Sequence, residues 1–173
     1  NLLPLFLLIS LLAACKKEEP AHQVSLYTIE QFYANTRFGG GTFSGDETKL
    51  MINSDESGIY NVYEITIADE TRKAVTSSTS ESFFSIDYVP GFAGKLYSAD
   101  KGGNEIDHIY LLEDNGTTKD LTPGENEKAQ FLKWSEDKKS MFYTSNKRDP
   151  KYFDVYKMAI GTWAPVMIYE NKE

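Results

Sequence analysis

Nucleophilic hydrolysis needs a serine on a tight turn, usually within Gly-x-Ser-x-Gly, and a histidine to take its proton. The nearest string to that elbow is Gly41-Thr42-Phe43-Ser44-Gly45, whose spacing is wrong. The two histidines, His22 and His108, give a triad no base in a suitable setting and are too few for most metal clusters. A single cysteine, Cys15, excludes an intramolecular disulfide, a zinc site of several cysteines and a redox pair. Asp100, Asn104, Glu105 and Asp107 gather oxygens as a calcium loop would. A solvated turn between two strands accounts for them with fewer assumptions. No catalytic residue, no metal ligand and no cofactor is therefore assigned, and the substrate-binding positions stay open.

Composition narrows the partners. The 173 residues are 40 % hydrophobic and 13 % aromatic, which is globular rather than disordered, and one domain is the default. A net charge of −8 argues against nucleic acid, since neutralising phosphates takes clustered Lys and Arg.

Residues 1–12 are almost wholly apolar and run into Leu12-Ala13-Ala14-Cys15, followed at once by Lys16-Lys17-Glu18-Glu19-Pro20. A bilayer span takes about 20 apolar residues, so this run fits the hydrophobic region of a secretory signal better. Small residues before the cysteine resemble the bacterial lipobox, which implies cleavage after residue 14 and a diacylglyceryl group on the Cys15 thiol. The expectation is a signal peptide over 1–14, a lipidated polar linker over 15–26, and a protein that sits on the membrane without spanning it. Lys16-Lys17-Glu18-Glu19 is also similar to the tract that directs lipoproteins to the cell surface in Bacteroidetes, and a plain solvated linker reads the same way. The location expected is the outer membrane, on its periplasmic or outer side. The missing basic segment and initiator Met suggest a sequence clipped at its start.

Self-comparison finds a repeat of about 46 residues, the range of solenoids and propellers. One copy holds Phe43-Ser44-Gly45-Asp46 through Leu50 to Ser54, and another holds Trp134-Ser135-Glu136-Asp137 through Met141 to Ser145. Between them Val89-Pro90-Gly91-Phe92-Ala93-Gly94-Lys95-Leu96 keeps the spacing without the Ser-x-Asp turn, placing Leu96 opposite Leu50 and Val89 opposite Phe43. Apolar segments centred on Tyr63, Tyr110 and Tyr156, and then on Val75, Leu121 and Met167, follow in each copy.

Each copy reads as four short strands parted by Asp, Asn, Gly and Lys-rich turns, for instance 130–134, 140–145, 153–159 and 165–169. Alternating positions such as Val62, Glu64 and Thr66 against Tyr63, Ile65 and Ile67 carry the strand period of two. Four strands per 40–50 residues is the metric of a propeller blade. The fold expected is all-β, a partial β-propeller with about three four-stranded antiparallel blades near 36–76, 83–122 and 129–169, within a propeller region 27–173. A short helix over 28–34, capped by Thr28, leads into the first blade. Trp134 and Tyr156 sit at repeat landmarks and are expected to pack between blades. Arg148 with Asp149 reads as an ion pair and turn lock within a blade, His108 as a strand-face residue, and Glu125 and Glu127 as solvated charge.

Ser54-Asp55-Glu56-Ser57-Gly58-Ile59-Tyr60-Asn61-Val62-Tyr63 resembles a blade pattern shared by TolB propellers and those of the prolyl oligopeptidase family of serine peptidases. Ala99 to Leu112 with Asp120-Leu121-Thr122-Pro123-Gly124, and Thr144 to Met158, are similar to blades of the peptidase group. That resemblance covers roughly 27–158. It implies a gating and scaffolding propeller of an exported serine peptidase whose α/β-hydrolase domain is not in this chain. The implied partners are that domain, the remaining blades, a peptide substrate, and a membrane reached through lipid on Cys15. The alternative is a TolB-like envelope propeller that binds protein partners, peptide or glycan.

Overall fold

The computed structural model describes residues 26–173. The leader 1–14, Cys15 and all but the last residue of the linker 15–26 lie outside them. The chain divides into a unit over 1–35 and a unit over 36–173. In the first, α1 (Ile29–Tyr33) is a single turn of helix. Thr28 caps it: its hydroxyl accepts from Gln31 N at 3.2 Å while Gln31 Oε1 accepts from Thr28 N at 3.0 Å, a reciprocal capping box.

The second unit is three four-stranded antiparallel sheets, each in simple meander order. Blade 1 comprises β1 (Phe38–Phe43), β2 (Lys49–Ser54), β3 (Asn61–Thr66) and β4 (Arg72–Ala74). Blade 2 comprises β5 (Phe83–Tyr88), β6 (Gly94–Ala99), β7 (His108–Glu113) and β8 (Thr118–Asp120). Blade 3 comprises β9 (Ala129–Trp134), β10 (Ser140–Asp149), β11 (Tyr152–Ala159) and β12 (Pro165–Tyr169). This is the partial propeller the repeat predicts.

Register shows how the repeat is used. The central pair of strands in each blade carries one aligned rung: Ile52 opposite Tyr63, Tyr97 opposite Tyr110, and Tyr143 opposite Tyr156. In blades 2 and 3 the two rings stack, with centroids 5.1 and 5.4 Å apart. Neighbouring positions point the other way, so a blade is apolar on both faces. Met51, Val62, Tyr97 and Ala99 fill the seam between blades 1 and 2. A larger cluster including Leu96, Ile109, Leu111, Trp134, Met141, Tyr143, Tyr156 and Met158 fills the seam between blades 2 and 3.

The structure corrects the sequence alignment of the second copy by one residue. Phe43 pairs with Leu50, Tyr88 with Lys95, and Trp134 with Met141, so Leu50 corresponds to Lys95 and not to Leu96. Because side chains alternate, that single step decides which seam a residue enters. Leu96 thus faces blade 3, whereas Tyr97 faces blade 1.

All three first hairpins have the same length but reach it through different turns. Ser44 and Ser135 begin turns that place Glu47 and Lys138 at φ 58° and 56°. The Asp46 carboxylate accepts from Ser44 Oγ at 2.6 Å and Thr48 N at 3.1 Å, and Asp137 accepts likewise from Ser135 Oγ at 2.6 Å and Lys139 N at 3.1 Å. These bonds, the Ser44 hydroxyl first, hold Asp46 down at about 2 from an ordinary 3.8. Blade 2 uses Pro90-Gly91 instead, with Gly91 at φ 64° and Phe92 N donating to Val89 O at 3.2 Å, the composition of a type II turn.

Candidate functional site

Polar groups on the three blades are spent mainly on holding neighbours. Near the start of the third strand of each blade, Asn61, His108 and Asp154 occupy equivalent places, opposite Ser54, Ala99 and Ser145, and each reaches the chain leaving its blade. Asn61 accepts from Ser78 N at 2.7 Å and from Thr76 Oγ1 at 2.9 Å. His108 Nδ1 lies 2.7 Å from Asp120 Oδ2, and Asp120 Oδ1 accepts from Thr122 N at 2.9 Å. Asp154, fully buried, accepts from Asn171 N at 2.8 Å.

Arg148 makes a two-pronged pair with that same Asp154, Nε to Oδ2 at 2.7 Å and Nη2 to Oδ1 at 2.9 Å. This corrects the sequence reading: the partner is Asp154, while Asp149 accepts from Lys151 N at 2.9 Å and fixes the turn. Nη2 also donates to Asn171 O at 2.8 Å. The Arg148 guanidinium holds the Asp154 carboxyl below the ordinary aspartate range. A guanidinium whose Nε and Nη2 are so engaged braces the blade exit.

Buried polar contacts also join the blades. Trp134 Nε1 donates to Asp87 Oδ2 at 2.9 Å, and burial pushes the Asp87 carboxyl up despite that bond. Between blades 1 and 2, Glu64 accepts from Lys49 Nζ at 2.8 Å and from Tyr88 Oη at 3.1 Å, with Lys95 Nζ 3.6 Å away. Lys95 in turn reaches Asp114 at 2.8 Å. Burial pushes Glu64 up, but the two lysines and the phenol outweigh it and leave the carboxyl below its ordinary value. Burial, with Glu64 alongside, raises the Tyr88 hydroxyl.

Other sequence expectations meet different ends. Trp134 and Tyr156 pack in a seam as expected. Asp100 and Asn104 accept backbone amides of their own loop, Glu105 N at 2.9 Å and Ile106 N at 3.0 Å, and among the described residues no group of three or more His, Cys, Asp and Glu is placed to hold a metal. Ser44 is committed to Asp46. Glu125 is exposed, but Glu127 is buried rather than solvated: its Oε1 accepts from Ser145 Oγ at 2.9 Å and its Oε2 lies 3.7 Å from Lys147 Nζ. Sequence reasoning missed it because its partners lie 18 and more residues away on the next hairpin.

What remains for recognition is clefts. One of about 650 Å³ lies at the seam of blades 2 and 3 beside Phe84, Ile109 and Phe131. Another of about 620 Å³ lies beside the His108–Asp120 pair and Tyr110. Such spaces suit binding; the described residues around them present no nucleophile with a base.

Meander blades of four strands stacked through apolar faces define a β-propeller domain. Residues 42–172 match the model of the dipeptidyl peptidase IV N-terminal region, and the chain belongs to that family. Among solved structures, a prolyl endopeptidase is similar at 12 % identity and TM-score 0.62, covering 79 % of this chain and 22 % of that one. TolB from Acinetobacter baumannii is similar at 18 % identity and TM-score 0.53, covering 76 % and 32 %. An oligogalacturonate lyase solved with manganese is similar at 12 % identity and TM-score 0.56, covering 75 % and 40 %. This chain therefore spans less than half the length of each, and at these identities the likeness is one of fold. No curated protein matches the sequence.

Proposed function

We propose that this chain is the gating and scaffolding propeller of a longer serine peptidase of the prolyl oligopeptidase type, exported and anchored through lipid on Cys15. The observation that carries the reading is the match of 42–172 to the dipeptidyl peptidase IV N-terminal region. Apolar, close-packed seams suit a rigid wall around a substrate path, and the committed polar groups suit a scaffold better than a catalyst. Hydrolysis belongs to an α/β-hydrolase domain elsewhere in the polypeptide.

The test is the coding sequence beyond Glu173 together with its product. A frame that runs through further blades to Gly-x-Ser-x-Gly, then Asp and His, and a full-length protein labelled by a fluorophosphonate, is the expected result. A frame that ends in more blades and a stop codon overturns the peptidase reading in favour of a TolB-like binding propeller, the reading that the A. baumannii likeness supports. Radiolabelled palmitate incorporated by the wild type and lost in Cys15→Ser tests the anchor.

A further inference from the structure

The cleft between blades 2 and 3 is walled by Phe84 and Phe131 and floored by Ile86 and Ile109, with Ser98 and Gln130 among its lining. Its volume, about 650 Å³, sits within the range of small-molecule and peptide side-chain sites. Phe84 is 38 % exposed although its ring packs on Tyr60 with centroids 5.2 Å apart. Phe131 is held edge-on by Trp134 at 5.3 Å, so both rings are positioned by other aromatics before any ligand arrives.

Charge at the cleft is internally balanced. Lys128 Nζ stands 3.5 Å from Asp107 Oδ2 and donates to Glu105 O at 2.6 Å, which leaves no unmatched ion to select a charged guest. The Ser98 hydroxyl and the Gln130 carboxamide make no hydrogen bond among the described residues, and both flank the cleft. β5 and β9 are each paired with a strand on one side only; on the other side Ile86 O is taken by Thr42 Oγ1 at 3.1 Å and Ala129 N by Asp107 O at 2.8 Å, and the remaining edge groups have no strand partner among the described residues. Apolar walls, neutral polar groups and open strand edges are together the complement of an extended peptide carrying an apolar side chain.

We propose that this cleft is a peptide-binding subsite that takes one aromatic side chain between Phe84 and Phe131 while Gln130 bonds the flanking amide. It rests on the reading of the propeller as a peptide-handling domain, but does not require that a hydrolase be attached.

The test is calorimetric titration of the full-length protein with N-acetyl-Ala-Phe-Ala-amide and N-acetyl-Ala-Asp-Ala-amide, for the wild type, Phe84→Ala and Gln130→Ala. Both substitutions fall at solvent-accessible side chains, and thermal melts of each variant check that the fold persists. The expected result is binding of the phenylalanine peptide about tenfold or more tighter than the aspartate peptide, weakened about tenfold by Phe84→Ala and about threefold by Gln130→Ala. Absence of binding, equal affinity for both peptides, or variants that bind as the wild type does would each overturn the proposal. A full-length enzyme that hydrolyses peptides with a KM untouched by either variant removes the subsite and leaves the peptidase reading standing.

Discussion

The indole of Trp134 and the carboxylate of Asp87 meet across a blade seam, Nε1 to Oδ2 at 2.9 Å, from the first strands of neighbouring sheets. Asp87 gains one strong donor and loses much of its water, and the balance leaves its carboxyl above the ordinary value. Trp134→Phe keeps most of the apolar fill but removes that donor from a half-buried anion. The expected loss is about 1–3 kcal/mol, read from the urea midpoint, with the Asp87 carboxyl titrating higher still. Asp87→Asn still accepts from the indole, so it should cost markedly less.

Glu64 ties blade 1 to blade 2 through Lys95 and Tyr88, with Lys49 of its own blade paired to the same carboxylate. Its carboxyl sits below the ordinary 4.5, so the stability it contributes is fully present above that value and is lost as pH falls through the lowered one. Glu64→Gln should therefore cost roughly 1 kcal/mol at pH 7, and the gap from wild type should close as pH drops below 4.5 and through the lowered value. A gap independent of pH in thermal melts would assign the effect to packing.

Asp154 and Asn171 test the blade exit. The Asn171 amide donates to a carboxylate that Arg148 already grips in a two-pronged pair. Asp154→Ala removes the acceptor and frees the guanidinium, so amide exchange at Asn171 should speed up about tenfold or more while exchange in β5 and β6 stays as it was. Asp154→Asn retains one acceptor and should fall between the two.

The rungs built on Tyr63, Tyr110 and Tyr156 were readable because an aromatic recurring in a central strand leaves a periodic mark. The second copy's first hairpin was misplaced by one residue because Pro90-Gly91 replaced the Ser-x-Asp turn that marks the other two. The Pro-Gly pair marks a type II turn but offers no Ser-x-Asp residues to align with the other two copies, so the neighbouring Leu96 was matched to Leu50 in place of Lys95. Arg148 was paired with its neighbour Asp149 because the hairpin that folds Asp154 back onto it is set by register and not by distance along the chain. The seam contacts of Asp87 and Glu127, and the Phe84–Phe131 cleft, join residues on different hairpins or blades, which no local pattern encodes.

Tyr143 separates packing from polarity in the same seam. Its ring is wholly buried, stacked on Tyr156, while its hydroxyl is a buried side-chain atom without a hydrogen-bond partner. Burial, reinforced by the charge of Glu127, pushes that phenol well above its ordinary value, so it is neutral at pH 7. A phenol with no partner has lost its bonds to water without replacement, and removing it should stabilise. Tyr143→Phe keeps the stacked ring and is expected to leave stability unchanged or raise it by about 1 kcal/mol. Tyr143→Ala discards the ring as well and should cost about 3–5 kcal/mol through the cavity it opens. A loss of about 1 kcal/mol in Tyr143→Phe, measured by urea unfolding, would mean that the hydroxyl is bonded through an internal water to Glu127.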